Sequence, residues 1–360
     1  MIYLSDPEAS NSAQTLYQRL AMICDSRTLI GQQDALAYGV GKRTATYAWR
    51  SDMSDVCGKF PTVFGWDFGH LGLDGRNLDG VDFGYMKLWM SEVHRRGGIN
   101  TVSWHMRNPL TGGDAWDTGL RVVQEILPGG SKHARYLSRL DRMAGFIDNL
   151  ATPSDLVPSR AGFSVHEKIP LIFRPFHEHT GSWFWWGQKW CSKEEFIQLW
   201  RFTVHYLRNE KGLHQLIYAY SPDRFKDKSH YLERYPGHDV VDVLGLDDYH
   251  DLGKNGKTAA LVQRLRTIVE LAGEYGKLAA LTETGYESIP EANWWTERLS
   301  PALFQDPLAA KIAWVLLWRN DRKTHHYGPY PGHLSSPDFI AFSKDERITF
   351  LEDFAQIELS

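Results

Sequence analysis

Two glutamates are placed to act together. Glu178 closes the run Arg174-Pro175-Phe176-His177-Glu178 and Glu283 sits in Thr282-Glu283-Thr284-Gly285, each after a largely apolar stretch. Carboxyl groups about 5 Å apart can split a glycosidic bond with retention of configuration, one attacking the anomeric carbon while the other protonates the leaving oxygen. The charge of the first raises the pKa of the second and keeps it protonated. Forming the glycosyl-enzyme removes that charge and lets the second group act as a base. The plainer alternative is that each glutamate merely pairs with an arginine such as Arg174 or Arg319.

The run Gly181-Ser182-Trp183-Phe184-Trp185-Trp186-Gly187 follows Glu178 and puts four aromatics in one loop. A loop that must reach solvent gains little from four such rings unless some of them form a platform for sugar faces. His177-Glu178-His179 invites a metal reading, but the HExxH spacing is missing and no second His or Cys cluster supplies further ligands. His325-His326 reads as loop structure or ligand contact. GxGxxG, the P-loop and GxSxG are likewise missing, so the expected chemistry uses no cofactor and no metal.

Eight apolar or β-branched runs must position these groups: 27–33, 62–68, 99–105, 169–178, 216–222, 241–249, 278–285 and 312–320. Near-continuous apolar runs ending in polar residues read as strands of a parallel sheet buried on both faces. Amphipathic stretches at 82–97, 132–150, 193–210, 257–275 and 342–356 read as helices, with Asp82, Ser131 and Ser192 as caps. The alternation predicts a single (β/α)8 TIM barrel over 1–360, with its active site at the C-terminal ends of the strands. Strands four and seven then present Glu178 and Glu283 across the barrel mouth. The other strand ends bring Gln32, Gln33 and Asp34, Trp66 and Asp67, Trp104 and His105, Asp247, Asp248 and Tyr249, and Trp318, Arg319 and Asn320 to the same rim. The long connections 34–61, 106–131, 179–192 and 286–310 read as loops at that functional face.

Composition narrows the class. Lys+Arg 40 against Asp+Glu 44 gives a net charge of −4 with no basic run, so a nucleic-acid partner is not expected. Hydrophobic residues at 42% and charged residues at 23% describe a folded chain. Trp 14, Tyr 16 and Phe 17 make 13% of the residues, which suits stacking on pyranose rings as well as an aromatic core. Cys24, Cys57 and Cys191 allow at most one disulfide. No apolar segment is long enough for a membrane span, and no signal peptide is legible at the N-terminus.

RPFHE followed by GSWFWWG, then TETG, then LLWRN resembles the signature of glycoside hydrolase family 26, chiefly the β-mannanases of clan A. The likeness takes in SWHMRNP, the WDT of 116–118, the LPGG of 127–130 and the closing HHYGPYPGH. It implies Glu178 as the acid/base and Glu283 as the nucleophile of a retaining, endo-acting β-1,4-mannanase. It further implies that His177 helps to place the sugar, that His105, Trp183, Tyr249 and Trp318 surround the sugars, and that Trp116 walls the glycone side. The implied partner is a β-mannan polysaccharide or manno-oligosaccharide, and the implied state is a monomer outside the cytoplasm, extracellular or periplasmic. One departure is His179-Thr180-Gly181, where some members read Met-Asn-Gly, and it bears on the leaving-group side. Three alternatives stay open: a mannobiohydrolase of the same family, a relative acting on mixed-linkage β-glucan or β-xylan, and a non-catalytic polysaccharide-binding barrel.

Overall fold

All eight apolar runs form strands in the computed structural model, which describes residues 2–43, 48–150 and 168–357. In chain order they are β1 (Thr28–Gln33), β2 (Val63–Asp67), β3 (Ile99–Ser103), β4 (Leu171–Arg174), β5 (Leu216–Tyr220), β6 (Val243–Asp248), β7 (Leu278–Thr284) and β8 (Trp314–Leu317). Each pairs in parallel with the next, and β8 returns to β1 through Leu29↔Trp314 and Gln32↔Leu317, so the sheet closes. The (β/α)8 barrel expected from the apolar runs is the fold.

Two apolar sets explain why the runs lack alternation. Leu29, Val63, Ile99, Ile172, Ile217, Val243, Ala280 and Leu316 fill the barrel interior, while Ile30, Phe64, Val102, Phe173, Tyr218, Leu244 and Leu281 belong to the outer cluster under the helices. Packing inside is tight at Gly31, where a Cβ would lie 2.9 Å from Val63 Cβ. The strand bottoms are closed by a helix, Asn11–Ile23, whose Ala13, Leu16, Tyr17 and Leu20 join the inner cluster. Ser10 caps that helix by accepting from the Ala13 N–H.

The outer helices follow their sequence signals with two corrections. Asp82 caps Phe83–Arg95, and Ser192 forms a capping box with Glu195 at the start of Lys193–His205. Ser131 does not cap His133–Asp148; its hydroxyl donates to Glu125 Oε2 at 2.6 Å, and Lys132 takes the cap position without a side-chain bond. The stretch 342–356 is not one helix. The helix Ser336–Phe342 ends there, Asp345 closes a turn by accepting from the Arg347 N–H at 3.0 Å, and Ile348–Thr349 pairs with the start of β1 before a last turn at Leu351–Phe354. The three cysteines are free thiols, and no helix among the described residues is long and apolar enough to cross a membrane.

Candidate active site

The interior positions at the tops of β4, β6 and β7 are polar. Arg174, the last residue of β4, is buried and donates to Ser221 Oγ at 3.1 Å, to Asp247 Oδ2 at 2.7 Å and to Glu283 Oε1. Burial works against its charge, but Asp247 and Glu283 outweigh that and raise its pKa above the ordinary arginine value. Thr282 Oγ1 donates to Asp247 Oδ1 at 2.7 Å.

Glu283 reaches the interior through a break in register. Leu246 pairs with Leu281, but Asp247 pairs with Glu283, so Thr282 is an extra residue on β7. Without that bulge, strict alternation from Leu278 and Ala280 would turn Glu283 outward. Its carboxylate is held at both oxygens, by Arg174 at Oε1 and by the Tyr249 hydroxyl, which donates to Oε2 at 2.7 Å.

Glu178 lies beyond the end of β4 rather than on it. The strand stops at Arg174, short of the expected 178, and the chain turns with Phe176 at φ 50° and Glu178 at φ 53°. Such left-handed angles are uncommon for residues other than glycine and collect at functional sites. They are held in place here: the Glu178 N–H donates to Ser221 O at 2.8 Å, and Trp186 Nε1 donates to His177 O at 2.8 Å. Trp183 Nε1 donates to Glu178 Oε2 at 2.7 Å. One carboxylate oxygen from each of Glu178, Asp247 and Glu283 lies within 4.8 Å of the others. Burial, then the charges of Glu283, Asp247 and Asp223, push the Glu178 carboxyl well above the usual carboxylate range, against the Trp183 N–H, which favours the charged form. This trio is a conceivable cation site, but the Arg174 guanidinium already bonds two of its three members.

On the other side of the mouth, Asp67 at the end of β2 accepts from Ser103 Oγ at 2.7 Å and faces His105 Nδ1 at 2.7 Å. His105 Nε2 lies 3.2 Å from His177 Nε2. Burial disfavours a charged His105, but Asp67 overrides this and raises its pKa; burial, Arg174, His105 and His179 drive His177 well below the usual value. Asp67 therefore favours the charged form of His105, and the surroundings of His177 favour its neutral form. Trp116 stacks on His105 with centroids 5.2 Å apart and planes at 16°, and Trp318 meets the same ring edge-on at 6.2 Å.

All eight residues singled out in the sequence thus gather at one end of the barrel. Trp183 donates to the Glu178 carboxylate and Tyr249 to that of Glu283, while His177, Trp116 and Trp318 contact His105. The aromatic loop is a partial correction: Trp183 is 41% exposed, whereas Phe184, Trp185 and Trp186 are buried and serve as packing. Arg174 enters as a partner of Glu283 in addition to the carboxylate pair rather than instead of it. Asp67 and Asp247 were visible only as polar strand ends; a charged residue inside an apolar run, as in Leu171-Ile172-Phe173-Arg174, was the signal for the interior network.

The glycosyl hydrolase family 26 model matches residues 5–304. A mannan endo-1,4-beta-mannosidase of Bifidobacterium adolescentis is 34% identical over 296 residues, 79% of this chain and 28% of that protein. One from Bacillus subtilis is 27% identical over 261 residues, 68% of this chain and 65% of that protein. The chain therefore spans only part of the length of these curated relatives. Among solved structures, the GH26 beta-mannanase of Bacteroides ovatus matches with a TM-score of 0.87 at 38% identity, covering 96% of this chain and 98% of that one. A modular endo-beta-1,4-mannanase of Cellulomonas fimi matches with a TM-score of 0.85 at 35% identity, over 98% of this chain and 78% of that one. Barrel, site and family match agree, and the chain belongs to glycosyl hydrolase family 26.

Proposed function

We propose that this chain is a retaining, endo-acting β-1,4-mannanase that hydrolyses mannan, glucomannan or galactomannan by double displacement, working as one catalytic domain over 1–360. The observation that carries the reading is the carboxylate spacing. One oxygen each of Glu178 and Glu283 within 4.8 Å of the other fits the close pair of a retaining site, about 5–5.5 Å apart, better than the roughly 6.5–9.5 Å of an inverting one.

In the first step a Glu283 oxygen attacks the anomeric carbon while Glu178 gives its proton to the departing glycosidic oxygen. Arg174 and Tyr249 fix the orientation of the nucleophile, and Glu178 is supplied protonated by its raised pKa. Once the glycosyl-enzyme forms, the Glu283 charge is gone, and Glu178, now ionised and braced by Trp183, takes a proton from water to complete hydrolysis. His177 and His105 then bear on the sugar at the cleavage point, and Trp116, Trp183 and Trp318 supply flat apolar faces for pyranose rings. The mannanase names of the relatives support mannan as the polymer, and the family likeness supports a monomer acting outside the cytoplasm.

The test is a product profile on mannan, xylan and mixed-linkage glucan, with viscosity followed in parallel. Mixed manno-oligosaccharides with an early fall in viscosity are expected. Mannobiose as the sole early product would replace this reading with a mannobiohydrolase. Preferential cleavage of xylan or mixed-linkage glucan would replace the substrate, and turnover of none of the three would leave a binding protein.

A further inference from the structure

Beside the barrel mouth, Arg107, Arg135, Arg139 and Arg142 line a single concavity of about 450 Å³, together with Leu73, Gly112 and Ser138. Arg107 lies two residues beyond His105. The other three lie on the helix His133–Asp148, spaced four and three apart and therefore on one face. The helical guanidiniums are held in place: Arg139 donates to Arg107 O, Arg135 to Pro109 O at 2.9 Å and Arg142 to Gly72 O. The Arg142 stem fits against Gly72, where a Cβ would come within 2.4 Å of Arg142 Cδ.

Each guanidinium carries five N–H donors, and these bonds use few of them. Among the described residues the carboxylate at ion-pair distance from this group is Asp74, 3.9 Å from Arg107 and itself 57% exposed. Arg107 Nε is buried without a partner. Arg139 is 8% exposed, and burial plus the charges of Arg135, Arg107 and Arg142 push its pKa down to about 10. Four convergent like charges with so little compensation repel one another. Forked guanidiniums match carboxylate, sulfate and phosphate oxygens, and the volume lies within the range of small-ligand pockets.

We propose that this pocket is a binding site for an oxyanion, carried on a sugar as a uronate carboxylate or sulfate ester or supplied free as phosphate. Its position favours a sugar-borne anion, because Arg107 shares the loop after β3 with Trp116, whose ring stacks on His105. The site does not depend on the reaction assigned to the barrel mouth.

Calorimetric titration at constant ionic strength tests the proposal, using inorganic phosphate, D-glucuronate and glucose 6-sulfate as probes and D-glucose as the neutral control. One saturable site is expected for at least one anion and none for glucose. The exposed-face double variant Arg135→Gln/Arg142→Gln, checked for a wild-type circular-dichroism spectrum, should bind about tenfold more weakly or worse, since charge-assisted bonds are lost. Tighter binding of glucuronate or the sulfate ester identifies a sugar-borne anion, and tighter binding of phosphate a free one. No saturable binding of any anion, or equal affinity in the folded double variant, would overturn the proposal.

Discussion

Replacing Trp183 by Phe keeps an aromatic face in the cleft and removes one bond, the indole N–H to Glu178 Oε2 at 2.7 Å. A hydrogen bond to a charged group contributes about 1.5–3 kcal/mol when shielded from water. Trp183 is 41% exposed, so water can take over part of that role and about 1 kcal/mol is the better figure. The bond favours the ionised carboxyl, which forms as Glu178 releases its proton to the leaving group and which acts as the base in the second step. Its loss should lower kcat/KM by about fivefold. It should also move the alkaline limb of the pH profile to higher pH, because Glu178 then holds its proton more strongly. Trp183→Ala removes the sugar platform as well and should cost about 1 to 3 kcal/mol of transition-state binding with little loss of folding. The assay is kcat/KM on a manno-oligosaccharide across pH for the three proteins. An unshifted alkaline limb in Trp183→Phe, or wild-type kcat/KM in that variant at every pH, would refute the role given to the N–H.

Further predictions address the acid/base, the histidine pair and the barrel interior. Glu178→Ala should keep much more activity on aryl glycosides with activated leaving groups than on polysaccharide, and azide should restore turnover as the β-glycosyl azide; equal loss on both substrates would contradict the assignment. Because Asp67 raises the folded-state pKa of His105, their attraction contributes most below the unfolded histidine pKa of about 6.5 and fades as pH rises through the folded value. Asp67→Asn should therefore lose more stability at about pH 5 than at about pH 9 in urea unfolding, and equal losses would show that the pair carries no charge-dependent term. Gly31→Ala should destabilise by about 1–3 kcal/mol through overpacking against Val63 and Leu316, read as a lower urea midpoint.

The barrel was legible because strands buried on both faces read as uninterrupted apolar runs, and those runs survive loop insertions. Strand ends were less so: β4 stops at Arg174 because Pro175 follows and the chain turns left-handed at Phe176 and Glu178, which the apolar-to-polar switch does not encode. The helix Asn11–Ile23 carried its own signals, Ser10 as a cap and Ala13, Leu16, Tyr17 and Leu20 at helical spacing, but its place under the barrel depends on tertiary packing. The inward aim of Glu283 was read from its strand end, whereas the bulge at Thr282 that produces it leaves no mark in the residue pattern. In the aromatic loop the pattern could not separate Trp183, which faces solvent, from Trp185 and Trp186, whose N–H groups bond buried backbone carbonyls. The arginine pocket joins two segments, and although Arg135, Arg139 and Arg142 share a helical face in the sequence, Arg107 is brought to them only by the fold.

The central claim is that Glu178 and Glu283 act by double displacement. Proton NMR of the hemiacetal formed in the first minutes of mannohexaose hydrolysis, before mutarotation equilibrates the anomers, tests it most directly. The close carboxylates predict that the β anomer appears first and the α anomer grows in later. An α anomer formed first would mean inversion and would contradict the account.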